Sequence, residues 1–284
     1  MKILVTGANG QLGREIVGLR TAVQAYEKDV VGADREEMDV TDLDAVRRMV
    51  GRVRPDAIIH AAAYTAVDKA ESDPDAAFLV NAIGARNVAR AAEECGCKVC
   101  YISTDYVFDG RGAAPYGEYD NTAPESVYGK TKRAGETLVE SLSSRWFVVR
   151  TSWVFGVHGA NFVKTMLAKG QEGATLRVVE DQIGSPTYTK DLATFLLDLV
   201  ETDKYGVYHA TNSGTCSWYE FAKAIFEDAG MTVDLSPCST SEFPRPAPRP
   251  AYSVLGTTAL RMNGFKPLPH WRDALQEYLK EVNR

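Results

Sequence analysis

A chain of 284 residues that is 45% hydrophobic and 25% charged can bury a sizeable core, which excludes a disordered chain. Its formal net charge of -6 gives no general attraction to nucleic acid or to an anionic membrane, because both need clustered Lys and Arg. Neither is an expected partner, and a phosphorylated ligand needs a local pocket.

The chain enters a strand pattern at Lys2 with no long apolar leader, and no apolar run approaches a membrane span, so a cytoplasmic location is expected. The five cysteines suit reduced thiols. Cys95, Cys97 and Cys100 are crowded but lack a second Cys or His pair, so no metal site is expected. Short β-branched runs then alternate with longer helical patterns, the signature of an α/β fold with a doubly wound parallel sheet. Strands are expected at 2–6, 30–34, 57–62, 99–104 and 147–151. Helices are expected to begin near Gln11, Asp42, Pro74 and Ser126, the second with Thr41 as its candidate N-cap. After Trp153 the regularity weakens, and 161–169 and 217–229 read as helices of a smaller, mixed domain. Pro244, Pro246, Pro248 and Pro250 exclude helix and central strand, because proline lacks the donor and fixes φ; an extended surface segment or lid edge is expected.

The first strand runs into Gly7-Ala8-Asn9-Gly10-Gln11-Leu12-Gly13, a G-x-x-G-x-x-G loop opening a helix. Glycine there lets the backbone approach a pyrophosphate, which the unpaired N-H groups and positive dipole end of the helix attract. Residues 1–152 therefore read as a dinucleotide-binding Rossmann domain and 153–284 as mainly substrate-binding, with 187–212 expected to return to the first. The second strand ends at Asp34-Arg35, where such folds read the adenosine ribose. An acid favours a free 2′-hydroxyl and an arginine a 2′-phosphate, so NADPH is expected and NADH stays open. Asp39 and Val40 flank the adenine edge or serve as plain loop, while Ala61, Ala62 and Ala63 supply small side chains where cofactor bulk must pass.

Tyr128 and Lys132 stand four apart, on one face of a helix. A free tyrosine is a poor acid near neutral pH, and a nearby ammonium is expected to lower its pKa. Following a glycine cradle and the strand end Ser103-Thr104, this order resembles the short-chain dehydrogenase/reductase family, extended type. The resemblance implies that Tyr128 protonates a carbonyl oxygen, Lys132 tunes it and binds the nicotinamide ribose, and Thr104 hydrogen-bonds the substrate oxygen.

Within that family, Thr6 to Gly13, Ala61 to Glu71, Ser103 to Phe108, Arg150 to Trp153, Asn161 to Met166, Asp181 to Thr187 and Arg249 to Ser253 resemble the dTDP-4-dehydrorhamnose reductases over nearly the whole chain. The implied substrate is a dTDP-linked keto-sugar, reduced at its C4 ketone. On that resemblance Val67, Asp105, Tyr106 and Trp153 line the sugar pocket, although Trp153 is also readable as core. Asn161, Lys164 and Arg249 are candidates for the diphosphate, with solvated charge the competing reading for Lys164. Related dehydratases carry Asp-Glu after the threonine; here Asp105 is followed by Tyr106, which favours plain reduction. Glu15 matches an acidic, metal-holding subunit surface of some relatives, but Lys190 places a positive charge there, so monomer and homodimer both stand. The competing classes are a non-catalytic, NADP-binding regulatory subunit like that of methionine adenosyltransferase, and a nucleotide-sugar epimerase.

Overall fold

Near-continuous apolar runs along short strands give a sheet buried on both faces. The computed structural model describes residues 1–22 and 29–282, without the side chains of 20–22. In chain order the first elements are β1 (Lys2–Thr6), α1 (Gln11–Ala22), β2 (Asp29–Ala33), α2 (Leu43–Val53), β3 (Ala57–His60), α3 (Val67–Ser72), α4 (Pro74–Phe78), α5 (Ala85–Cys95), β4 (Lys98–Thr104), α6 (Val127–Leu142) and β5 (Trp146–Thr151). Then follow β6 (Val154–Phe155), α7 (Phe162–Gln171), β7 (Leu176–Val179), β8 (Ile183–Gly184), β9 (Thr187–Tyr188), α8 (Thr189–Leu199) and β10 (Gly206–His209). The rest is β11 (Asn212–Ser213), β12 (Cys216–Ser217), α9 (Trp218–Asp228), β13 (Leu235–Cys238), α10 (Thr258–Met262), β14 (Leu268–His270) and α11 (Trp271–Val282).

Six strands pair in parallel in the order β10-β5-β4-β3-β1-β2. Ile3, Val5, Ile59, Phe147 and Val149 pack against α1 and α8 on one face. Leu4, Ile58, Val99, Tyr101 and Val148 meet α2, α5 and α6 on the other. Strand β10 joins the sheet from beyond residue 187, its register running Gly206 to Phe147. A third cluster, with Phe155, Met166, Phe221, Trp271 and Tyr278, forms the core of the later segments. Strand order reverses between β1 and β3, and a crevice opens at such a switch point beyond the carboxyl ends of the strands.

Three local expectations need correction. The N-cap of α2 is Asp42, whose side chain accepts from the backbone N-H groups of Asp44 and Ala45; Thr41 instead gives its N-H and hydroxyl to Asp39. Strand β3 stops at His60, because the chain turns out of the ladder where Ala62 donates its N-H to Thr6 Oγ1 at 3.1 Å. The helix beginning at Pro74, capped by Asp73, is interrupted by a π-helical turn at Leu79–Gly84. Asn81 in that turn binds both main-chain polar groups of Tyr64 and the Thr131 hydroxyl, and its carbonyl accepts the Tyr101 hydroxyl at 3.0 Å.

Candidate active site

Beyond the carboxyl ends of β1 to β5 lies one cleft of about 1500 Å³, reaching from the glycine loop to Arg249. At the dinucleotide end Gly7 has φ 63° and sits so close to Ala62 that a Cβ would lie 2.7 Å from its Cα. A Cβ on Gly13 would strike the Gly7 carbonyl oxygen and the Ala8 backbone. This close-packed turn leads into α1, whose N-terminus faces the cleft, and it fits a dinucleotide pyrophosphate. Gly7, Gly10, Gln11, Leu12, Gly13, Asp34, Arg35, Asp39, Val40 and Ala61 to Ala63 all line the cleft. Asn9 is exposed at the tip of the loop and stands outside the wall. The Arg35 side chain is 88% exposed, tethered to Asp39 at 3.5 Å, so it can swing to an incoming phosphate.

The catalytic candidates converge in the middle. Thr104 ends β4, its hydroxyl donating to Asp105 Oδ1 at 2.9 Å and accepting the Tyr106 N-H at 3.2 Å. Ser126 caps α6 through the Gly129 N-H, and the first turn brings Tyr128 beside the Thr104 side chain. One turn on, Lys132 is buried; its Nζ donates to the Ile102 carbonyl at 2.7 Å and lies 4.1 Å from the Tyr101 ring centre.

Electrostatics correct one expectation. Burial pushes the Tyr128 phenol up to about 12, with the neighbouring Thr104 hydroxyl opposing, and Lys132 exerts no resolved pull on it. Burial also depresses the Lys132 ammonium to about 7, against the attraction of Glu136. Removing solvent from both groups outweighs the charge effect that the four-residue spacing suggests. Tyr128 consequently holds its proton at neutral pH.

At the sugar end, Val67, Asp105, Tyr106, Trp153 and Arg249 all face the cleft. Burial raises the Asp105 carboxyl to about 6, and its Oδ2 has no protein partner. The hydroxyls of Tyr64, Ser103 and Thr151 in the same wall are equally unpaired. Buried polar groups without partners suit a polyhydroxylated ligand. Trp153 adopts φ 48°, uncommon for a non-glycine residue, and stacks on Trp218 at 3.6 Å with 10° between the rings.

Asn161 and Lys164 do not reach the cleft. Asn161 is the N-cap of α7, and its amide donates to Gln11 Oε1 and the Gly156 carbonyl. Lys164 Nζ donates to the carbonyls of Val157 and Gly159. Both hold the 156–164 loop in this structure, and neither lines the cleft. The sequence reading also missed Tyr64, Ser103, Thr151, Trp218, Arg177 and Arg245 in the wall. Tyr64 lies within a segment quoted for the resemblance, whereas Trp218 follows the cap Ser217 and reads only as a helix face. Away from the cleft, Glu15 accepts the Thr189 hydroxyl, while Lys190 is held by Glu277 at 2.7 Å and Glu281 at 3.5 Å. Cys95 is exposed and Cys97 and Cys100 are buried, all as free thiols.

The family described as RmlD substrate binding domain matches residues 1–284. The chain is 47% identical to the spore coat polysaccharide biosynthesis protein SpsK of Bacillus subtilis (strain 168), over 99% of this chain and 97% of that one. It is 41% identical to a dTDP-4-dehydrorhamnose reductase of Aggregatibacter actinomycetemcomitans, over 97% of each. Among solved structures, dTDP-4-dehydrorhamnose reductase from Bacillus anthracis str. Ames in complex with NADP superposes with a TM-score of 0.95 at 47% identity, covering 99% of both chains.

Proposed function

Because this chain belongs to the RmlD substrate binding domain family, we propose that it reduces the C4 ketone of dTDP-4-dehydro-L-rhamnose to dTDP-L-rhamnose, using NADPH. The observation that carries this reading is the meeting of Thr104, Tyr128 and Lys132 between a dinucleotide cradle and a wall of unpaired polar groups. Bound at the cradle, the nicotinamide cofactor supplies the hydride.

Tyr128, protonated at neutral pH, donates its proton to the carbonyl oxygen as negative charge develops there. Thr104 orients the Tyr128 hydroxyl and the ketone oxygen, and Lys132 adds positive charge and holds the nicotinamide ribose. Asp105 offers its unpaired oxygen to a sugar hydroxyl, Val67, Tyr106 and Trp153 shape the ring pocket, and Arg249 meets the diphosphate. At the far end Arg35 pairs with the 2′-phosphate, while Asp34 lies at the ribose and Asp39 and Val40 at the adenine. Residues 1–152 with 187–212 form the dinucleotide-binding part and 153–284 the main substrate part. No helix among the described residues is long and apolar enough to cross a membrane, and we place the protein in the cytoplasm, where reduced dinucleotide is regenerated.

Mixing the protein with NADPH and dTDP-, UDP- or GDP-linked 4-keto sugars should give rapid oxidation of the cofactor with the dTDP sugar. Cofactor left intact with every ketone contradicts the reading.

A further inference from the structure

We propose that Asp68 is a positioning residue: it holds the proline strap of residues 244–250 against the cleft and so sets Arg249 and Arg245 for the diphosphate of the sugar nucleotide. The inference rests on the reading above and adds a residue to it.

Prolines at every second position leave the strap only the N-H groups of Arg245, Ala247 and Arg249 to anchor it. Among the described residues, no backbone-to-backbone hydrogen bond ties 244–250 to the rest of the chain; such bonds resume at Ala251 and Tyr252. Asp68 supplies the missing anchor. Its Oδ1 accepts the Ala247 N-H at 3.3 Å and Arg249 Nη2 at 2.8 Å, and its Oδ2 lies 3.9 Å from Arg245 Nη1. Ala247 is buried beneath this contact.

The charge pattern explains why the strap matters. Of the other cations in the cleft wall, Arg177 is held by Glu242, Lys132 sits at the catalytic centre, Lys169 is solvent-facing and Arg35 lies at the dinucleotide end. Arg249 is 19% exposed, and its planar fork has donors beyond those given to Asp68 and to the Ala247 carbonyl. A carboxylate on one edge of a guanidinium fixes the direction of the remaining donors, which then need little reordering when a phosphate arrives.

The same short helix also separates binding from chemistry. Glu71, one turn after Asp68 on α3, accepts the N-H of Val127, the residue before Tyr128. Loss of Asp68 leaves that tie to the catalytic helix in place. The damage should therefore fall on substrate affinity and spare the chemical step.

The test uses Asp68→Ala and Asp68→Asn in the full chain, reading kcat and KM for the sugar nucleotide, and Kd for dTDP and for NADPH. Asp68→Ala should raise KM and the dTDP Kd about tenfold or more while kcat stays within about threefold. NADPH affinity should be unchanged. Asp68→Asn keeps an acceptor for the Ala247 N-H but loses the charge, and should fall between wild type and alanine; it serves also if the alanine variant fails to fold. Wild-type dTDP affinity in the variants overturns the proposal, as does tighter binding, which makes Asp68 a competitor, or a parallel loss of kcat and NADPH affinity. A wild-type protein that binds dTDP without reducing the ketone defeats the reaction assignment alone, because the dTDP measurements judge Asp68 independently.

Discussion

Tyr128 has its proton secured by burial, so its value to catalysis lies in position rather than in easy ionisation. Tyr128→Phe should lower kcat by about 10²- to 10⁴-fold, since proton donation to the developing alkoxide is lost. NADPH affinity should stay within about threefold, because the ring remains in the wall. Lys132→Ala should damage both, and a Tyr128→Phe enzyme of near-normal kcat would show that another group supplies the proton. The pairing of these two residues was legible from their spacing and from the strand end before them. Their pKa directions were not, because desolvation depends on the walls that fold around them, and no local pattern reports it. The surroundings of Asn161 and Lys164 were hidden for a related reason: an amide and an ammonium look like ligands in sequence, and only the loop geometry shows their bonds to Gln11, Gly156, Val157 and Gly159.

The glycine loop, as an element, fuses turn and helix so tightly that a single methyl has nowhere to go. In Gly13→Ala the new Cβ meets the Gly7 carbonyl and Ala8 backbone, neither of which can rotate away as a side chain could. NADPH affinity should fall about tenfold or more, because the turn must open and the N-H groups facing the phosphate lose their alignment. Circular dichroism should still report the same secondary structure, and unchanged NADPH binding would contradict the cradle. This element announces itself by glycine spacing between a strand and a helix, as do the five early strands by their apolar runs. By contrast, α3 has six residues, fewer than two helical turns and too few for a repeating pattern, and it carries Asp68 and Glu71. The π-helical turn at Leu79–Gly84 is fixed by bonds from Asn81 to Tyr64 and Thr131, partners 17 and 50 residues away, so nothing local foretells it.

For the molecule as a whole, two buried histidines tie stability to pH. His60 and His209 are held at about 3, by burial first, with the charges of Lys132 and Arg150 respectively adding to it. A free histidine binds its proton near 6.5, so between 6.5 and about 3 the unfolded chain takes up more protons than the folded one. Their contribution is present above 6.5 and is lost as pH falls through that window. Asp105, raised to about 6, acts in the opposite direction, its contribution present at low pH and lost as pH rises toward 6. His209 is the cleaner probe, since its ring bridges Arg150 and the Gly256 carbonyl away from the cleft. His209→Gln should be less stable at pH 7 yet lose less Tm than wild type between pH 6.5 and 5; equal slopes would contradict the assignment. The sheet, the core clusters and the cleft at the switch point all serve one transfer, which can be followed atom by atom. NADPH carrying deuterium at its transferable position, incubated with dTDP-4-dehydro-L-rhamnose and analysed by NMR, should place one deuterium on the sugar C4 of dTDP-L-rhamnose for each cofactor oxidised. An epimerised ketone with the labelled NADPH unconsumed would contradict the account.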